Sequence, residues 1–357
     1  MAPAALLSTT TTTTTAAPTV VGPTTKKATR PTKKIPKSII DNARLTEKRS
    51  FNPIEHLVYE APAKIHTMAE LGLEGAGISP NAISDPFRLF TEEAIKQMRA
   101  EIFSEPVLQD CQYASSFCTN MIRGMGHARA PFIYDVWKSP EVLSKVSEIA
   151  GIELVPAYDY EIANINIAAK DDPIELDSAS ADELIAAKTS DDDDVSAFAW
   201  HYDSFPFVCV TMLSDCMAMV GGETAINLPS GEIKKVRGPT IGYAVVMQGR
   251  YLHHQALKAL GGRERISMVT PFRPKDPLVR DETILVGVRG ISNLDELFPQ
   301  YFEYRLDVLE ERVRAQRKEE RNREVAHKPF DVDEKRRWLE EQREFIDSML
   351  REMYVPQ

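Results

Sequence analysis

Cysteine is scarce in this chain. Cys111, Cys118, Cys209 and Cys216 are four among 357 residues, and none stands in a CxxC pair. Such a set builds neither a disulfide scaffold nor a structural zinc site, and it reads as reduced intracellular thiols. Long apolar runs are missing too. No stretch reaches the roughly eighteen residues that a membrane-spanning helix needs, so no membrane partner is expected. Neither GxGxxG nor GKS/T occurs, which removes the usual support for a nucleotide-binding α/β fold.

Acid is absent from residues 1–40, which hold six Lys and Arg. The whole chain is nevertheless at −10, so residues 41–357 carry −16. An acidic body repels phosphate backbones, and nucleic acid is not an expected partner. Hydrophobic content of 43% is ordinary for a globular protein with ample core.

Residues 1–37 are rich in Thr, Ala and Pro, without apolar periodicity, and read as a disordered tail. An organellar transit peptide is the competing reading, weakened by a single Arg and the lack of an amphipathic pattern. A cytoplasmic location is the expectation. Residues 38–290 are expected to form the main domain, with residues 291–357 a C-terminal helical extension.

Helical signals dominate from Pro86 to Gly151. Thr91 is placed to cap a helix whose first turn holds Glu92 and Glu93. In "SPEVLSKVSEIAG", Ser139 is the cap, Pro140 the first helical residue and Gly151 the stop. Between these helices, "MIRGMGHARAPFIYDVW" reads as a cationic loop. Arg123, His127 and Arg129 in it are candidates for an anion pocket or for plain surface charge.

Strand signals begin at "YEIANINIA", where Asn164 and Asn166 alternate with Ile165 and Ile167. Residues 171–194 then hold ten acids and one Lys, a solvated insertion or lid. A calcium loop is disfavoured there because the oxygen spacing and turn glycine are missing. Short strands follow at 197–203, 205–213, 223–228, 232–237, 241–248, 250–256 and 264–272, separated by glycine-rich turns. Many short strands with tight turns predict a mainly β, α+β fold with a barrel or jelly-roll core over about 155–275.

Two charged helices should close the chain. Phe302, Leu306, Leu309 and Val313 recur at 4-3-4 spacing, and Asp331 with Glu334 resembles a capping box before Phe345 and Met349. These helices are expected to clasp the core or to join two copies in a homodimer.

The chemistry-bearing residues lie among the strands. In "FAWHYDSFPFVC", His201 and Asp203 are two apart and share one strand face, with Trp200 and Tyr202 on the other. Downstream, "GRYLHHQALKALGGRERISMVTPFRP" supplies His253 and His254, then Arg265 and Ser267. Two histidines and one carboxylate leave open positions on iron(II). A guanidinium beside a hydroxyl is a receptor for one end of a dicarboxylate. Neighbouring residues of a strand face opposite ways, so only one of His253 and His254 can join His201. Glu223 is read as a hairpin residue rather than a further metal arm, and Cys209 and Cys216 as small buried hydrophobes.

This constellation resembles the iron(II)/2-oxoglutarate-dependent oxygenase superfamily. "GRYLHHQAL" and "RISMVTPFRP" look most like a fungal branch found among specialised-metabolism genes. The resemblance covers roughly 160–275 best and implies a double-stranded β-helix with flanking helices. It implies Fe(II) on His201, Asp203 and a distal histidine, 2-oxoglutarate held by Arg265 and Ser267, and O2 as co-substrate. The distal histidine of that family stands about ten or eleven residues before its arginine, which favours His254. One of Asn164 and Asn166 would be placed to hydrogen-bond 2-oxoglutarate. The expected substrate is a small metabolite or amino-acid-like compound, anionic if the cationic loop binds it. The expected outcome is hydroxylation, desaturation or cyclisation, with release of succinate and CO2. A zinc hydrolase and a non-catalytic jelly-roll binding protein are the alternatives; the first lacks an HExxH motif and neither uses Arg265 and Ser267.

Overall fold

A computed structural model describes residues 17–20, 22, 30–31, 34–115, 118, 120–169, 200–215, 220–236, 240–257, 259–260 and 264–355. Most of the Thr-rich tail, the acidic segment 171–194 with its calcium alternative, and Cys216 lie outside them.

Among the described residues the strands, in chain order, are β1 (Ile65–Thr67), β2 (Asn81–Ser84), β3 (Phe87–Arg88), β4 (Gln112–Tyr113), β5 (Met121–Ile122), β6 (Leu154–Pro156), β7 (Asn164–Ala169), β8 (Phe207–Met212), β9 (Val220–Gly221), β10 (Thr224–Asn227), β11 (Ile233–Val236), β12 (Tyr243–Met247), β13 (His254–Ala256), β14 (Ala259–Leu260) and β15 (Glu264–Pro274). A ten-stranded sheet has the order β1-β2-β12-β8-β15-β7-β5-β4, with β3 on β12 and β6 on β15. A three-stranded sheet has the order β11-β10-β13. All of these pairs are antiparallel.

Alternation along the central strands gives the large sheet two different faces. Phe207, Cys209, Ile266, Met268 and Phe272 pack under the helices Glu92–Ile102, Pro131–Lys138 and Pro140–Ala150. Val208, Val245 and Met247 face the other way and pack with Ile226 and Val236 of the small sheet. The helices form for the local reasons their sequences suggest. Thr91 Oγ1 accepts from the Ala94 amide and Ser139 Oγ from the Val142 amide, each at 3.2 Å. Gly151 ends its helix in the left-handed conformation at φ 71°, which a glycine adopts without the clash a Cβ would bring.

Three expectations need correction. The stretch expected to be a cationic loop instead contains β5 and the helices Gly126–Arg129 and Pro131–Lys138. Pro131 opens the second of these, and the buried Glu101 carboxylate accepts from the Phe132 and Ile133 amides at 2.8 and 3.0 Å. That cap comes from another helix, so local sequence does not announce it. The sheet also begins well before residue 155, because β1 to β5 add edges to it. Finally, the buried stripe of the helix Leu294–Val325 is Leu297, Tyr301, Tyr304, Arg305 and Val308. Phe302, Leu306 and Val313 of the expected stripe are instead exposed. The 4-3-4 rule found the helix period but took the neighbouring face, since two tyrosines and an arginine do the packing.

The terminal helix Val332–Glu352 is capped by Asp331, whose carboxylate accepts from the Glu334 amide at 2.9 Å. Its Phe345 and Met349 are buried with Tyr158, Phe205 and Tyr304, so both C-terminal helices pack on the core. No described helix is long and apolar enough to cross a membrane.

Candidate functional site

His201 and His254 are placed by a single antiparallel bridge. The His201 amide donates to the His254 carbonyl at 2.9 Å, and the His254 amide returns the bond at 3.0 Å. Of the strand expected over 250–256, only His254–Ala256 is strand; before it the Tyr251 amide closes a turn onto Gln248. Asp203 is held by its own amide, which donates to the Gly249 carbonyl at 2.9 Å. The result is a cluster in which one ligand atom from each of His201, Asp203 and His254 lies within 4.8 Å of the others. The Asp203 Oδ1 stands 3.5 Å from His201 Nε2 and 3.7 Å from His254 Nε2.

Local chemistry prepares these groups as ligands. His254 Nδ1 lies 2.8 Å from the Leu252 carbonyl and must donate to it, which leaves the Nε2 lone pair on the Asp203 side. Burial, aided by His201, pulls the His254 imidazole down to about 4, so it is neutral at pH 7. Burial pushes the Asp203 carboxyl up, but the flanking His254 and His201 outweigh it and hold the group below its usual value. Gly249 makes room for that carboxylate, because a Cβ there would sit 1.8 Å from Asp203 Oδ2.

His253, just before β13, is not part of the cluster. Its ring lies between those of Trp200 and Tyr202, with centroids 5.2 and 5.0 Å away.

The cluster opens on a cavity of about 210 Å3. Arg265 and Ser267 line it from β15, and Asn166 and Asn164 from β7, where Asn166 is opposite Ser267 and Asn164 opposite Val269. Val208, Val210, Met247 and Val269 supply an apolar wall. Gly287, Val288 and Ile291 close it from the segment that leads into the C-terminal helices.

The three cationic residues of "MIRGMGHARAPFIYDVW" part company. Arg123 lines the cavity and is 5% exposed, paired with the fully buried Glu161 at 2.6 Å. His127 pairs with Asp135 and Arg129 with Asp110, both at the surface, so no three-residue anion pocket forms. Glu223 is not in the His201/Asp203/His254 cluster; its carbonyl accepts from the Leu257 amide beside β10. Cys209 is fully buried beneath the helices.

Sequence reasoning missed Gly249, the Leu252 carbonyl, Glu161 and the 287–291 segment. Only Gly249 left a signal, as a glycine at a turn just before the histidine pair. The others matter through long-range packing.

Neither a family model nor a curated protein matches the chain. Solved structures do give partial likenesses. An oxidoreductase of the 2OG-Fe(II) oxygenase family from Burkholderia pseudomallei is 17% identical, with a TM-score of 0.27. That match covers 43% of this chain and 65% of the other, so the chain spans less than two thirds of it. AviO1 from Streptomyces viridochromogenes is 14% identical over 61% of this chain and 98% of that one, at a TM-score of 0.37. A Pseudomonas putida prolyl-4-hydroxylase is 16% identical over 60% and 99%, at 0.30.

Proposed function

We propose that the chain is an iron(II)- and 2-oxoglutarate-dependent oxygenase acting on a small molecule, built on a jelly-roll core. One observation carries this reading. A two-histidine, one-carboxylate cluster and an Arg265/Ser267 pair line the same cavity, and each alone would have a blander explanation.

His201 Nε2, His254 Nε2 and an Asp203 oxygen would hold the metal. Three protein ligands leave positions for a chelating co-substrate and O2. The chemistry such a centre supplies is oxidation of a substrate C–H bond, coupled to conversion of 2-oxoglutarate and O2 into succinate and CO2. The protein's share is orientation and exclusion of water. Arg265 and Ser267 would take the far carboxylate of 2-oxoglutarate, the guanidinium by a paired hydrogen bond. The Leu252 carbonyl keeps His254 in the metal-binding tautomer. Val208, Val210, Met247 and Val269 keep one wall dry. Hydroxylation is the default outcome, with desaturation and cyclisation open to the same centre. A fungal specialised-metabolism setting is supported only by the wording of "GRYLHHQAL" and "RISMVTPFRP". A zinc hydrolase or a binding protein would leave Arg265 and Ser267 without a task.

The test is an anaerobic titration with Fe(II) and 2-oxoglutarate. A weak visible charge-transfer band, lost in His201→Ala and Arg265→Ala, is expected. Absence of the band, together with no succinate release across a screen of amino acids and metabolite scaffolds, overturns the reading.

A further inference from the structure

The cavity has a second polar pole, separate from the Arg265/Ser267 end. Met121 on β5 stands opposite Asn166 and Ile122 opposite Ile165; Arg123 follows directly, and it shares the Glu161 carboxylate with Asn164. Since Asn166 is opposite Ser267, Asn164 is displaced from that level by one pleat repeat, about 7 Å. Ala163, at φ 61°, turns the chain just before Asn164 enters the strand.

This pole is charge-balanced from within. Arg123 Nη2 donates to Glu161 Oε1 at 2.6 Å and to Ser292 Oγ at 3.3 Å. Asn164 Nδ2 donates to Glu161 Oε2 at 2.8 Å and to the Glu161 carbonyl at 3.1 Å. Both carboxylate oxygens are therefore engaged, and the guanidinium has its countercharge beside it. Two buried polar atoms remain without a protein partner, the Arg123 Nε donor and the Asn164 Oδ1 acceptor. Both belong to residues that are nine-tenths or more buried and line the cavity. Buried polar groups are almost always paired, so a donor and an acceptor left over together point to a ligand.

We propose that Arg123 and Asn164 read a neutral substrate group that offers one acceptor and one donor, as an amide or lactam does. The carbonyl oxygen takes the Arg123 Nε–H, and the N–H donates to Asn164 Oδ1. An anionic group fits worse, because Glu161 already neutralises Arg123 and a further buried charge would have no partner. This replaces the expectation of an anionic substrate. It rests on the oxygenase reading for taking the cavity as a substrate site.

Saturation-transfer NMR on the full-length chain tests it, with N-methylacetamide and acetate as probes and with 2-oxoglutarate present or absent. N-methylacetamide should bind saturably to the wild type. Asn164→Leu, and the charge-balanced double variant Arg123→Met/Glu161→Gln, should each weaken it by about fivefold, the usual worth of one hydrogen bond. Asn164→Leu should leave 2-oxoglutarate affinity within about twofold, a change too small for a lost hydrogen bond. Three results would overturn the proposal: no saturable amide binding, displacement of the amide by acetate while 2-oxoglutarate fills its own site, or loss of 2-oxoglutarate rather than amide affinity in Asn164→Leu. Failure of the iron titration with the amide result intact would sink the oxygenase reading and leave this recognition pair standing.

Discussion

His201 and His254 lie opposite each other and exchange both backbone hydrogen bonds, with ring centroids 4.4 Å apart. The backbone therefore sets the spacing of the two imidazoles, which the proposed function makes metal ligands. His201→Ala and His254→Ala should each lower Co(II) affinity by more than about 100-fold, beyond the usual cost of losing an outer partner. His253→Ala, whose ring sits between Trp200 and Tyr202, should leave it nearly unchanged. Titration followed by the Co(II) absorption bands separates the two outcomes.

Gly249→Ala is expected to act on the metal through Asp203. The added methyl would stand 1.8 Å from Oδ2, while the Asp203 amide remains tied to the Gly249 carbonyl. The carboxylate must swing away, so Co(II) affinity should fall by about 10- to 100-fold. Retained circular dichroism alongside that loss would separate a site effect from unfolding.

Glu352 ties the last helix to the cavity wall. Its Oε2 accepts from the Leu285 amide at 2.6 Å and from Arg289 Nη2 at 2.7 Å, and Gly287 and Val288 between them line the cavity. Glu352→Ala would leave the buried Arg289 without its countercharge, at a cost of about 3 kcal/mol in urea unfolding. Succinate formation should also need a higher substrate concentration, because the wall at 287–288 loses its anchor.

Thiol reactivity should depend on pH in a defined way. Burial pushes the Cys111 thiol up to about 11 and the Cys209 thiol up to about 12, from an ordinary 9.0. The fold thus favours the protonated thiols. Their contribution to stability is complete below pH 9 and is lost as pH rises through 11 to 12. Mass-mapped alkylation at pH 8 should modify neither cysteine in the native chain and both in urea.

Legibility varied with how local the cause was. Ser139, Pro140 and Gly151 act within one turn of the helix they bound, and their roles could be read directly. His201, Asp203, Arg265 and Ser267 were readable in pairs, because i and i+2 share a face in any extended segment. The helix Pro131–Lys138 was missed because its capping carboxylate, Glu101, sits thirty residues away in sequence. The stripe of Leu294–Val325 was misplaced because Tyr301, Tyr304 and Arg305 bury better against Tyr158 and Phe345 than the aliphatic residues beside them. Arg123 read as part of an anion pocket or as plain surface charge, because its buried partner Glu161 lies 38 residues away in sequence.

The sequence by itself determined the chemical inventory and its pairing: a His-x-Asp, an adjacent histidine pair and an Arg-x-Ser, all in short extended segments. Alternation along a strand is a property of the backbone, and it needs no partner to be read. Tertiary structure alone decided that these pairs meet on one cavity, that Asp203 stands 3.5 and 3.7 Å from the two imidazoles, and that Arg123 is already neutralised there. Those facts depend on strand register and on contacts between residues far apart in the chain, which no local spacing encodes.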